Sequence, residues 1–209
     1  MKTTTSNLIR LAGLSAMVAG ILFLVVQMIH PPQTLSAVTT SAWATVHYLT
    51  IAMCLFGLLG ITGIYARQVE KSGWLGLIGY LLFSLFLALT MAFIFLEAFI
   101  LPLLTIESPK FVEGFLGIIS GSASEINLGA IPMFWLISGL LYMSSSLVFG
   151  IATLRARVLS RWASIVLIIA APFAIASSML PHEFQRIAAL PVGLGLAWLG
   201  YSLWSEQRD

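Results

Sequence analysis

Apolar residues run along this chain in long blocks, each closed by polar or helix-breaking residues. Six of these blocks approach or exceed the roughly 20 residues that a helix needs to cross a bilayer. They cover 8–29, 46–66, 74–101, 132–154, 162–180 and 187–204. The pattern predicts an all-α fold, with residues 1–209 forming one polytopic bundle of six transmembrane helices. The first block, behind Lys2 and Arg10, resembles a signal peptide in position. Its apolar length, however, is that of a full span rather than the roughly 7–15 residues of a signal's apolar region. Ala42-Trp43-Ala44 also lies too far downstream to be its cleavage site, so the block reads as a membrane helix.

The connections add detail. Residues 31–45 ("PPQTLSAVTTSAWAT") carry no charge and are expected to lie along the surface. In the longer connection, 102–131, Ser108-Pro109 reads as the N-cap and first position of a helix through "KFVEGFLGII". Phe111, Phe115, Ile118 and Ile119 recur at helical spacing, which predicts a short interfacial helix, most simply a lid over helix ends. "SGSAS" at 120–124 is the flexible return. Arg67 and Arg155 each begin an Arg-x4-Ser-x-Trp pattern, which would make helices 2–3 and 4–5 related hairpins or simply reflect what inner loops favour. Gly57, Gly60 and Gly63 mirror Gly79, Gly76 and Gly73 about residue 68, so an antiparallel hairpin is expected to bring each pair to one depth. Ala12, Ala16 and Gly20, and Ala170, Ala174 and Ser178, place small residues at every fourth position, the mark of close helix packing in membranes.

Composition supports lipid as the solvent: 59% of the 209 residues are hydrophobic and 9% charged, with mean hydropathy +1.01. A soluble domain carries about 25% charged residues. The net charge of +2, with no basic run, excludes a nucleic-acid surface. The single cysteine, Cys54, excludes an internal disulfide, a Cys-rich metal cluster and a C-x-x-C redox pair. Charge also sets the orientation. Lys2, Arg10, Arg67, Lys71, Arg155, Arg157, Arg161 and Arg208 fall on one side of the spans; only Lys110 and Arg186 fall on the other. The positive-inside rule then puts both termini in the cytoplasm, N-in and C-in. Trp74, Trp162 and Trp204 are expected at the inner interface, Trp43 and Trp135 at the outer one.

The candidate chemistry lies in one layer. At 1.5 Å per residue, His30, His47 and His182 each stand about 30 Å above the inner side, and Glu97 about 35 Å. Pro31-Pro32 and Pro181 hold His30 and His182 at helix ends, and Pro102 follows Glu97 closely. Imidazole and carboxylate are ligands for a transition metal, and paired imidazoles suit haem. Met28 and Met179 would add the thioethers that Cu(I) favours. His30, His47, Glu97 and His182 are therefore the candidate metal ligands, with a non-metallic small-ligand or pH-sensitive site, or a purely structural layer, as the other readings. Glu97 leads because an ionisable residue inside a span is a functional hypothesis by default. No H-x3-H or H-E-x-x-H pair joins two ligands on one helix. Ser144-Ser145-Ser146 would bond their own backbone or a neighbouring helix. No hydrolase signature is present, Pro172 is a candidate kink, and the uncharged midplane argues against an ion-coupled pump.

Arg10-Leu11-Ala12-Gly13, His30-Pro31-Pro32, "GIYARQ" (63–68), "FLEAFILP" (95–102) and "RVLSRWAS" (157–164) resemble small bacterial multi-pass membrane proteins grouped under a domain of unknown function. That resemblance implies a six-helix bundle in a bacterial cytoplasmic membrane and brings no activity or catalytic residue. Two functional expectations follow. One is a protein with an outward-facing His/Glu site for a metal ion, haem or small ligand. The other is a non-catalytic accessory subunit packed against a larger membrane complex. The partners expected are the lipid bilayer and a membrane-protein partner or second copy.

Overall fold

The computed structural model describes residues 5–180 and 182–206, the side chains of residues 182–184 lying outside that description. It is all-α. Helix α1 spans Thr5–Ile29 and α2 Ser41–Phe95; a π-helical turn, Leu96–Ile100, leads into the short α3, Leu101–Leu104. After these come α4 (Pro109–Ser120), α5 (Ile131–Ala156), α6 (Arg161–Ser178), a 3₁₀ segment (His182–Ala189) and α7 (Leu190–Ser205). Among the described residues, five apolar segments are long enough to cross a membrane, and the longest, Ser41–Leu104, has 64 residues. At 1.5 Å per residue that is about three bilayer thicknesses. It folds in two at Gly73, whose φ of 54° and ψ of −150° lie where only glycine sits without strain. Its arms, 41–72 and 74–95, run back along each other: Tyr65 stacks on Tyr80 at 4.8 Å, and the Thr62 and Tyr80 hydroxyls are 3.3 Å apart. The described residues thus form a multi-pass bundle of six long helices.

The expected loop at 67–73 shrinks to one residue. Residues 67–72 are ordinary helix formers, so α2 continues through them until Gly73 reverses the chain. The second reversal is built differently: α5 ends on Arg157 in the left-handed region (φ 54°), and Ser160 caps α6 by accepting from the Ala163 N–H. The Arg-x4-Ser-x-Trp pattern therefore does not mark a shared turn.

The long helices close into a ring, α1 beside the first arm of α2, then the second arm, α5, α6, α7 and back to α1. The centre is filled by Phe23, Ile61, Ile64, Phe83, Phe149, Leu167, Leu196 and Leu199. Small residues make the seams. A Cβ on Gly60 would stand 2.6 Å from the Ala16 Cα, and one on Gly20 would stand 2.4 Å from the Ala197 N. Gly60 and Gly63 thus face Ala16 and Ala12 of α1, Gly57 lies against Leu87 of the second arm, and Gly79 faces Phe149 of α5. The mirrored glycines do not meet each other; spacing revealed close approach but not the partner. Buried Gln68 donates to Thr153 at 2.9 Å, tying α2 to α5. Ser144, Ser145 and Ser146 bond their own helix's carbonyls, and α6 runs through Pro172 as helix. The last helix begins at Leu190 rather than 187, with Pro191 in its first turn.

Helix α4 forms where the sequence predicts it, although the Ser108 side chain makes no capping bond. It buries Val112, Phe115 and Leu116 on Phe93, Leu101, Trp43 and the connection residues Ala37 and Val38. It is a lid over one end of the bundle, ending at Gly121 (φ 75°). The 31–45 connection lies along the surface through most of its residues, but its apolar Ala37 and Val38 are drawn beneath that lid. Trp43, expected at the interface, is fully buried.

Candidate functional site

The lid covers the end of the bundle where His47 and Glu97 meet. His47 lies one helical turn after Trp43, and its Nδ1 is 2.6 Å from the Trp43 carbonyl oxygen. A carbonyl only accepts, so Nδ1 carries the hydrogen and Nε2 is left to face Glu97. Nε2 lies 3.3 Å from Glu97 Oε2, with the two residues 0% and 2% exposed. One proton fits between these atoms. On nitrogen it makes an imidazolium–carboxylate pair; on oxygen, a neutral hydrogen-bonded pair. With no proton, two lone pairs would face each other in a dry interior. The separation is longer than the 2.7–2.9 Å of a tight charge-assisted bond, and Nε2 makes no directed hydrogen bond. Glu97 Oε1 is buried with no hydrogen-bond partner among the described residues.

The backbone under Glu97 explains its placement. In an α-helix the Leu101 N–H would bond the Glu97 carbonyl; here it reaches back to Leu96, the i→i−5 pattern of a π turn. In that register the next donor for the Glu97 carbonyl would be residue 102, which is proline and has no N–H. The orphaned carbonyl accepts instead from Trp43 Nε1, at 2.8 Å. Trp43 therefore ties the arms of α2 together and stacks on His47 at 4.3 Å. Sequence reasoning missed this role, because in an ordinary helix the Leu101 N–H would serve the Glu97 carbonyl.

His30 completes the cluster at the end of α1. Its ring stands 5.3 Å from that of His47 and 6.0 Å from that of Trp43. Its Nδ1 is held 2.8 Å from the Pro31 carbonyl oxygen. Burial lowers its pKa from 6.5 to about 4, the Pro31 contact opposing and the charge of Arg186 and the neighbouring His47 adding to the shift. Arg186 donates to the carbonyls of His30 and Pro31 at 2.9 and 3.4 Å, and Tyr142 donates to the Ala188 carbonyl at 2.6 Å. These bonds pin the 3₁₀ segment against α1 and α5. An open groove of about 590 Å³ runs beside α1, with Leu24, Gln27, His30, Gln33, Arg186 and Ile187 among its walls. His30 thus belongs both to the groove and to the cluster around the buried pair.

Of the four expected ligands, His30, His47 and Glu97 come together; the side chain of His182 lies outside the described residues, as does Pro181. Among the described residues no group of three or more His, Cys, Asp or Glu is arranged to hold a metal ion. Comparison with known protein families, characterised proteins and solved structures finds no match. The site and the fold are what the chain itself offers: this is a multi-pass helical membrane protein with a buried His47–Glu97 pair.

Proposed function

We propose that this protein binds a small polar ligand at the histidine end of its bundle, reached through the groove beside α1. His30 is the contact at the groove, and the His47–Glu97 pair behind it is a proton store whose single proton moves between nitrogen and oxygen as the ligand's charge demands. The observation that carries the reading is Glu97 Oε1, buried without a hydrogen-bond partner while Oε2 stands 3.3 Å from His47 Nε2. An unpaired buried acceptor costs about 1–3 kcal/mol, a cost a bound donor would remove. In this reading the histidine end faces outward and both termini face the cytoplasm, an orientation that the distribution of Lys and Arg supports. The membrane is a bacterial cytoplasmic one.

A metal ion is the second chemistry. Both histidines have Nδ1 on a backbone carbonyl, the outer-shell arrangement typical of metal-ligating imidazoles, leaving Nε2 as donor. His30, His47 and Glu97 would supply three donors, His182 a fourth. Elemental analysis of the untagged, detergent-purified protein separates the two. Near-stoichiometric iron, copper, zinc or manganese, lost in His47→Ala, selects the metal. Absence of metal together with a small molecule released on denaturation, and lost in Glu97→Leu, selects the polar ligand. A protein that releases neither and keeps only a membrane partner is an accessory subunit.

A further inference from the structure

The opposite end of the bundle carries a second feature, independent of the histidine site. Arg155, Arg157 and Arg161 line a concavity of roughly 910 Å³ between the end of α5 and the start of α6, with Leu154 and Leu159 as its apolar walls. All three arginines are exposed. The ion pairs among the described residues are His47–Glu97, Arg67–Glu206 and Lys110–Glu125, so none of them neutralises this cluster. Arg161 stacks on Trp162 at 5.0 Å, and Trp162 is itself exposed. An exposed tryptophan beside a lipid-facing helix belongs at headgroup depth. Arg157 is the single non-glycine residue with positive φ among the described residues, at a helix C-terminus where glycine is the usual choice.

We infer that this concavity is a binding site for the headgroup phosphate of an anionic phospholipid. Three guanidiniums supply charge and planar, bidentate donors for phosphate oxygens. The first turn of α6 adds the positive end of its dipole. Leu154 and Leu159 add apolar lining to the concavity, which suits a lipid better than a free anion.

The test uses the full-length protein, delipidated in mild detergent and titrated with phosphatidylglycerol or phosphatidylcholine, with occupancy read by native mass spectrometry. Phosphatidylglycerol is expected to bind at least about fivefold more tightly, and Arg157→Gly to weaken it about fivefold, the factor that one basic residue near a headgroup supplies. Glycine takes φ 54° without strain, so this variant keeps its fold, which an unchanged melting temperature verifies. Arg161→Gln should act in the same direction, and Arg157→Lys, which keeps the charge but not the planar donors, should weaken binding less than Arg157→Gly does. Equal affinity for the two lipids overturns the inference, as does phosphatidylglycerol binding unchanged in both Arg157→Gly and Arg161→Gln. Displacement of the lipid by millimolar inorganic phosphate, or by an acidic peptide, would also overturn it, assigning the site to a free anion or a protein segment.

Discussion

Replacing His47 by Phe removes one half of a buried pair and leaves the other behind. Phe can keep the stack on Trp43 that the His47 ring makes at 4.3 Å, so little packing is lost. What remains is a carboxyl group 2% exposed with neither oxygen served. Breaking a buried pair from one side costs about 3–5 kcal/mol, whereas replacing both partners by apolar groups of similar volume is often neutral. Glu97→Met alone orphans a neutral imidazole nitrogen and should cost less, about 1–3 kcal/mol. Glu97→Gln can still donate a hydrogen bond to Nε2 and should cost under about 1 kcal/mol. The double variant His47→Phe/Glu97→Met should then be more stable than the sum of its singles by at least about 2 kcal/mol. Reversible unfolding by SDS titration in mixed micelles measures the four variants and the parent protein on one scale. Additivity within about 0.5 kcal/mol, the behaviour of independent sites, would refute the shared proton and the pairing with it.

Other perturbations test the frame around the pair. Trp43→Phe strands the Glu97 carbonyl and should cost about 1–3 kcal/mol, against less than about 0.5 kcal/mol for Trp135→Phe, whose ring is 40% exposed; equal losses would remove Trp43 from the site. His30 is held neutral, its pKa lowered from 6.5 to about 4, so the unfolded chain takes up a proton at a pH where the folded one does not. Stability is therefore full above pH 6.5 and falls as the pH drops towards 4, and this slope should be absent from His30→Phe in thermal melts across that window. Gly60→Ala would drive a Cβ to 2.6 Å from the Ala16 backbone and should cost about 1–3 kcal/mol, whereas Gly139→Ala meets nothing within 4 Å and should be neutral or stabilising. A detergent melt of both variants decides it.

Much of the architecture is legible in the sequence because lipid imposes a coarse rule. Helices of fixed minimum length must be apolar, and six blocks obey it. Counting residues from the arginine end correctly places His30, His47 and Glu97 at one depth, since rise per residue is constant along a helix. Depth says nothing about neighbours. That His47 and Glu97 touch follows from the ring order, in which the first arm of α2 lies between α1 and the second arm, and no local pattern encodes that order. The mirrored glycines mislead for the same reason: Gly60 needs a small partner, and Ala16 serves as well as another glycine. The position of Trp43 depends on α4, some 70 residues later in the chain, pulling Ala37 and Val38 under a lid. The π turn was not legible either, because in an ordinary helix Pro102 would leave the Ala98 carbonyl, not that of Glu97, without a donor.

The most direct test of the site is an experimental density map, to about 2.5 Å or better, of the protein taken from its own membrane without chelator or added ligand. The account predicts non-protein density within hydrogen-bonding or ligand distance of Glu97 Oε1, continuous with the groove at His30. A dry, featureless packing of side chains around Glu97, reproduced in His47→Ala, would contradict it and leave the pair as a structural clasp between the two arms of α2.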